Sequence, residues 1–144
     1  MDHPSAPEVA SAPTVPVCQL TTVNGPYNGE LVRVRGRWHG ALESSSFKDP
    51  DCETSLVWVD FDRARMDRLS PAAVLSSFEK LEVNRSGYPS AANALLDLDV
   101  VFVGLLDGPR PGHIGYGHEG FGRSRLTVYA VERAEPSKSN ELSN

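Results

Sequence analysis

The chain has 144 residues, of which 23% are charged and 40% hydrophobic, and its formal net charge is −5. This length allows one domain with a hydrophobic core and leaves little room for two. The negative charge argues against general nucleic-acid binding, which needs a surplus of Lys and Arg. No apolar run approaches the roughly 20 residues of a membrane-spanning helix.

Both ends of the chain are expected to lie outside the folded domain. Residues 1–16 are rich in Pro, Ala and Ser and contain no large aliphatic residue except Val, which predicts a flexible leader. Residues 135–144 form a polar tail that we expect to be disordered. The first residues lack the basic start and apolar middle of a signal peptide. The domain is therefore expected over residues 17–134.

The clearest strand signal is at residues 31–39, where arginines alternate with apolar residues. A period of two is typical of a half-buried strand with one polar and one apolar face. Asn28-Gly29 supplies the turn before this strand, and Gly40 is expected to end it. The cationic face carries Arg33, Arg35 and Arg37, with Trp38 on the opposite face.

Four further strands are predicted, over residues 41–48, 54–61, 99–106 and 125–133. The third and fourth strands are apolar on both faces, which favours central positions in a sheet. The alternation in the last strand places Leu126, Val128 and Ala130 on one face and Thr127, Tyr129 and Val131 on the other.

A helix is predicted after the third strand. Ser70 suits its N-cap and Pro71 its first position. A second short helical turn is expected over residues 91–96. The apolar stripe of the longer helix comprises Val74, Leu75, Phe78 and Leu81.

The order of these elements predicts the fold class. Three strands, a helical insertion over about residues 63–96 and two more strands match a mainly β, five-stranded OB-like Greek-key barrel with a helix between strands 3 and 4. The competing interpretation is a small β-sandwich with a helical insertion.

The two cysteines, Cys18 and Cys52, match no zinc-binding pattern. From the residues alone they form either a disulfide or two separate buried thiols. A bridge closing this loop would contribute roughly 3–4 kcal/mol by the chain-entropy estimate.

Six short segments carry a resemblance: Cys18-Gln-Leu20, residues 27–36, Asp49-Pro-Asp-Cys52, residues 56–59, residues 100–104 and residues 117–121. Together they resemble a group of small exported bacterial proteins with an OB-like domain and no known activity, often with a signal peptide or lipoprotein anchor. The resemblance implies a Cys18–Cys52 disulfide and a periplasmic or exported location, with a cytoplasmic location as the alternative because no export signal is visible. The segment of residues 63–96 is longer than that group needs.

A glycine-rich stretch over residues 112–122 is the most unusual part of the sequence. His113, His118 and Glu119 there offer three metal ligands. The spacing of the two histidines fits no regular element, and no phosphate-binding or dinucleotide motif follows. We favour a structured loop without metal or cofactor over a metal site or a partner contact.

Two clusters of carboxylates are candidate sites. Asp49, Asp51 and Glu53 crowd one turn, which is interpreted as solvated rather than as a calcium site. Asp60 and Asp62 lie two residues apart at the end of the third strand. We expect them to form ion pairs with Arg63 and Arg65 rather than to perform acid–base catalysis. No Ser–His–Asp or Cys–His pattern is present to indicate a nucleophilic enzyme.

The function predicted from these observations is a non-enzymatic, exported OB-like module that binds a protein partner. An immunity or inhibitor protein is one form of this hypothesis. The alternatives are a binder of single-stranded nucleic acid or oligosaccharide and a metal-dependent enzyme using His113, His118 and Glu119. The segment of residues 63–88 is the first surface to test. The candidate partner-binding residues are Arg33, Arg35, Arg37, Met66, Leu69, His113 and His118.

Overall fold

The computed structural model is mainly β, as the sequence predicts, and describes residues 5–21, 25–41, 44–48, 57–86, 96–109 and 124–136. Five strands, β1 to β5, lie within these ranges, and two helices connect β3 to β4. In chain order the elements are helix α1 (Ala6–Ala10), a 3₁₀ turn (Val17–Thr21), β1 (Leu31–Ala41), β2 (Ser44–Lys48), β3 (Val57–Phe61), α2 (Arg63–Leu69), α3 (Ala72–Ser86), β4 (Leu96–Asp107) and β5 (Ser124–Pro136).

The strands pair in the order β1-β2-β3-β5-β4, and β4 pairs back with β1, so the ring of hydrogen-bonded strands is closed. The β3–β5 pair is parallel and the other four pairs are antiparallel. Each strand therefore has a partner on both sides, which reduces the exposed backbone edge that an open sheet would leave.

Strand β1 follows the predicted alternation but is longer than expected. Val32 and Val34 are fully buried and Trp38 is 2% exposed, on the face opposite the arginines, as predicted. Gly40 does not end the strand, because it pairs with Ser45 of β2 on one side and Leu96 of β4 on the other. Hydrogen bonding on both edges holds this glycine in the extended conformation.

Strand β3 departs from the expectation of two buried faces. Val57 and Val59 are buried, whereas Trp58 is half-buried and Asp60 is exposed. The strand is central in the ring, with β2 and β5 as neighbours. Central position in a closed sheet buries only the inner face, so β3 alternates as a half-buried strand does.

Strand β5 contains two irregularities that simple alternation did not reveal. Its register with β4 shifts between Val101 and Phe102 and again between Val103 and Gly104. An extra residue in one strand reverses which face the following side chains occupy. As a result Val131 joins the barrel core instead of lying on the outer face predicted for it.

The core fills the barrel and includes residues of α2 and α3, which pack against β5. Its four aromatic rings contact one another, with centroid distances from 5.6 to 6.3 Å. Such edge and tilted contacts add about 0.5–1.5 kcal/mol per pair beyond burial. The rings belong to Trp38, Phe61, Phe78 and Phe102.

The helical segment between β3 and β4 contains two helices rather than one. The predicted stripe of α3 is confirmed, with Leu75 and Phe78 buried and Val74 and Leu81 packed beside them. Ser70 ends α2, and its hydroxyl accepts a hydrogen bond from the Val131 backbone N–H at 2.9 Å. The helical turn expected at residues 91–96 lies outside the described residues, except that Leu96 begins β4.

Residues 5–16, which the sequence predicts to be part of a flexible leader, pack against the barrel in the structure. Ser5 and Glu8 form a capping box at the start of α1. Val9 and Ala12 are buried with Val103 and Ala130 in a second apolar cluster, and Val15 joins the main core. Composition alone does not reveal these contacts. Residues 5–16 are called the N-terminal segment below.

Candidate functional site

The outer surface of β3 and its neighbours forms the candidate site. Because Val57 and Val59 point into the core, the alternation directs Trp58 and Asp60 outward. In the register of the sheet, Trp58 pairs with Arg125 of β5, which in turn pairs with Asp107 of β4. These four residues are called the Trp58 face.

The orientation of the Trp58 ring is fixed by its neighbour on the same face. The indole Nε1–H donates a hydrogen bond to Oδ1 of Asp60 at 2.9 Å. Residues two apart on a strand share a face, which makes this contact local. Part of the ring stays open to solvent, so it is an oriented aromatic group on the surface.

The two carboxylates of the Trp58 face differ in whether they form an ion pair. Nη2 of Arg125 lies 3.0 Å from Oδ2 of Asp107, and the Arg125 side chain is 41% exposed. Asp60 is exposed and, within the described part of the chain, forms no ion pair. The face therefore carries one compensated and one uncompensated carboxylate.

The predicted cationic stripe on β1 is interrupted by its contacts. Nε of Arg33 lies 2.8 Å from Oε1 of Glu132, and its Nη1 and Nη2 donate to the carbonyls of Ala12 and Val9. The hydrogen bond with Glu132 raises the pKa of Arg33 above its usual value. Arg33 thus holds the N-terminal segment in place.

The other two arginines of the stripe differ from each other. Arg35 is exposed on the outer face. Arg37 is half-buried and lies opposite Asp99 in the β1–β4 register. Carboxylates are therefore interspersed among these cations, and the three arginines do not form a continuous basic surface.

Two predicted contact residues on the helical segment face inward. Met66 is 1% exposed and belongs to the barrel core, because α2 packs across β5. Leu69 packs partly buried against the second apolar cluster, whose buried members are Val9, Ala12, Val103 and Ala130. Met66 is thus corrected from a contact surface to a core residue.

Asp62 serves as the N-cap of α2. Its Oδ1 accepts from the Arg65 backbone N–H at 3.1 Å, and its Oδ2 pairs with the Arg65 guanidinium. The hydrogen bond with the Arg65 backbone lowers the pKa of Asp62, and the Arg65 guanidinium lowers it further. The expected ion pair is confirmed for Asp62, while Asp60 bonds to Trp58 instead.

Several predicted site residues lie outside the described residues. They include His113, His118 and Glu119 of the glycine-rich stretch, the carboxylate cluster of Asp49, Asp51 and Glu53, and Cys52. No free cysteine occurs among the described residues, so Cys18 is not a free thiol. Its pairing with Cys52 remains a prediction. The described side chains contain no group of three or more His, Cys, Asp or Glu that could hold a metal ion.

Trp58 is not among the site residues predicted from the sequence, although its pattern is visible there. In Val-Trp-Val-Asp-Phe the aspartate and tryptophan alternate with two valines, which is the pattern of an outer face. No helix in the described ranges is long and apolar enough to cross a membrane. Comparison with protein-family models, with curated proteins and with solved structures gave no match to the chain.

Proposed function

We propose that the protein is a non-enzymatic binding module that engages a protein partner through the Trp58 face. The supporting observation is the partly exposed Trp58 ring, oriented by Asp60 and flanked by Arg125. Trp and Arg are enriched among residues that dominate protein interfaces. A ring already held in one orientation loses less entropy on binding. An immunity or inhibitor protein is one concrete form of this function.

We infer that the barrel is OB-like. The support comes from the strand order β1-β2-β3-β5-β4, the parallel β3–β5 pair and the helices between β3 and β4. This order matches a partly open or closed five-stranded Greek-key barrel. A two-sheet sandwich, the competing interpretation, would leave strand edges unpaired between its sheets.

We further propose that the module is exported and that Cys18 is bridged to Cys52. This follows the resemblance to exported bacterial proteins and agrees with the absence of a free thiol at Cys18. Intact mass with and without reduction, after alkylation, tests the bridge. A gain of two alkyl groups only after reduction supports it, and alkylation of both cysteines without reduction contradicts it.

Binding of single-stranded nucleic acid is the weaker hypothesis. The arginines of β1 lie among carboxylates, with Arg33 paired to Glu132 and Arg37 opposite Asp99. A nucleic-acid groove needs continuous positive charge interleaved with stacking aromatic rings. The net charge of −5 opposes phosphate binding as well.

The deciding experiment is a pull-down from lysate of the source cells with matched variants. We expect the wild-type chain to capture one stoichiometric protein and Trp58→Ala to lose it. Tyr129→Ala is the matched control, because Tyr129 is an outward aromatic residue of β5 that Arg65 covers. Arg35→Glu tests the β1 stripe. Retention of the partner by Trp58→Ala, with its loss in Arg35→Glu, would move the interface to that stripe.

A further inference from the structure

We propose that Trp58 and Asp60 form a subsite for a cationic side chain, best an arginine, of the protein partner. This inference rests on the proposed function, because it assigns a chemical class to what the Trp58 face binds. The two residues lie on one outer face of β3, with the indole N–H fixed to the Asp60 carboxylate at 2.9 Å.

The first observation is the uncompensated charge of Asp60. Four carboxylates of the described surface each have an arginine partner: Asp62 with Arg65, Asp107 with Arg125, Glu132 with Arg33 and Glu135 with Arg133. Among the described residues Asp60 receives only the neutral N–H of Trp58. It therefore has no cationic partner from the described chain, and its second oxygen, Oδ2, can accept from an incoming cation.

The second observation is the aromatic surface beside that charge. A cation over an indole face is attracted by the ring quadrupole, and Trp is the strongest such partner among the aromatic residues. The hydrogen bond places the Asp60 carboxylate at the edge of the same ring. One planar guanidinium can therefore lie over the indole while it donates to Oδ2 of Asp60, which a compact ammonium does less well.

The barrel already contains this arrangement with its arginine in place. Arg65 pairs with the carboxylate of Asp62, and its guanidinium carbon lies 4.6 Å from the centroid of the Tyr129 ring. Asp62 and Asp60 are neighbours on the same part of the chain. The Trp58–Asp60 pair offers the same two groups, a carboxylate and an aromatic ring, without an arginine from the described chain between them.

Arg125 does not fill this role. Although it lies opposite Trp58 in the β3–β5 register, its Nη2 bonds to Asp107 on the β4 side. The structure contains no ring contact between Arg125 and Trp58 among the described residues. Arg125 thus flanks the subsite and leaves the carboxylate of Asp60 uncompensated.

The test uses the full chain and two peptides, acetyl-Gly-Arg-Gly-amide and its citrulline analogue, which has nearly the same shape without the charge. The readout is the indole N–H signal of Trp58 in a ¹H–¹⁵N spectrum. Trp38, the other tryptophan, is 2% exposed and serves as the internal reference. We expect the arginine peptide to shift the Trp58 signal saturably at millimolar concentration, with the citrulline peptide at least about tenfold weaker.

Two variants separate the subsite from nonspecific charge. Asp60→Asn should lower the affinity for the arginine peptide about tenfold, because the substitution removes the charge and keeps the shape of the side chain. Asp67→Asn is the matched control, since Asp67 is an exposed carboxylate on α2 rather than on β3. Equal responses to the two peptides, an unchanged affinity in Asp60→Asn, or no saturable shift up to about 10 mM arginine peptide would overturn the subsite.

The outcomes distinguish this inference from the proposed function. If Trp58→Ala loses the partner in the pull-down and the two peptides give equal responses, the protein-binding face is supported and the arginine subsite is ruled out. If Trp58→Ala retains the partner and the Trp58 signal still shifts selectively with the arginine peptide, the subsite is supported and the proposed interface is ruled out.

Discussion

Arg33 on β1 and Glu132 on β5 form a two-point ion pair although 99 residues separate them in the chain. The same guanidinium also donates hydrogen bonds to the backbone carbonyls of Val9, Ala10 and Ala12. One side chain therefore joins two strands of the barrel to the N-terminal segment.

Replacing Arg33 by Ala is expected to release the N-terminal segment and lower the free energy of unfolding by about 1.5–3 kcal/mol, the usual range for hydrogen bonds to a charged group. Hydrogen exchange measures the release, because the Val15 N–H bonds to the Arg33 carbonyl and should lose protection. The control is Arg35→Ala, an exposed arginine on the same strand, expected to change stability by less than about 0.5 kcal/mol. Unchanged protection of Val15 in Arg33→Ala would contradict the role assigned to the side chain.

Gly104 allows β4 to approach β5 closely. A Cβ added there would lie 2.9 Å from the carbonyl carbon of Thr127 and 3.1 Å from Cα of Val128, both backbone atoms that cannot turn aside. We expect Gly104→Ala to destabilise the protein by about 1–3 kcal/mol or more through overpacking. Urea denaturation measures this effect.

Gly29→Ala is the comparison for that substitution. Gly29 has φ of +84° and no atom within 4 Å of an added Cβ, so its cost comes from backbone conformation alone. We expect about 1–2 kcal/mol. A cost for Gly104→Ala below that of Gly29→Ala would show that the β4–β5 contact relaxes readily.

Asp62 gives the protein a defined loss of stability in acid. Its pKa is below the usual 3.8, first because of the hydrogen bond from the Arg65 backbone and also because of the Arg65 side chain. A lowered pKa means that the ionised group stabilises the fold above the unfolded-state value, and that this contribution disappears as pH falls through the folded-state value. The effect therefore lies below about pH 4.

The measurement compares wild type with Asp62→Asn, which retains an N-cap acceptor but no charge. At pH 7 the variant should be less stable, and the difference should shrink as the pH falls below about 4. Asp62→Ala removes the cap as well, so it should cost about 1 kcal/mol more than Asp62→Asn at either pH. A wild-type advantage over Asp62→Asn that persists unchanged at low pH would contradict the ionised cap.

Ser124 is fully buried and donates its hydroxyl to the Leu20 carbonyl at 2.5 Å. Ser124→Ala leaves that carbonyl without the hydroxyl donor, so we expect a loss of about 1–3 kcal/mol. Ser11→Ala is the control, because the Ser11 hydroxyl bonds to Glu8 at an exposed site. Thermal unfolding of the two variants should separate them, and equal stabilities would show that water replaces the Ser124 hydroxyl.

The parts of the fold that depend on local periodicity could be predicted from the sequence. The alternation around Val32 and Val34 and the stripe of α3 could be interpreted because a period of two or of 3.6 is visible within one element. Seven-residue α2 is too short for such a signal. The bulges of β5 and the burial of the N-terminal segment depend on partners distant in the chain, such as Val103 and Ala130.

The candidate site follows the same division. The outward direction of Trp58 and Asp60 was present in the order of five residues, but the bond between them and the uncompensated charge of Asp60 required the fold. Conversely, Arg33 has a contact-surface pattern in the sequence and an internal role in the structure, because Glu132 and the Val9 carbonyl are distant in the chain.

The last strand completes the ring, and this has a consequence for how the chain is made. β5 pairs with β3 and β4, packs against α2 and α3, and holds the 3₁₀ turn through Ser124. Until β5 has left the ribosome, β3 and β4 each lack one neighbour, and the core aromatic rings are open on one side. The barrel therefore closes only after β5 has emerged, and until then the unpaired strand edges are open to non-native pairing.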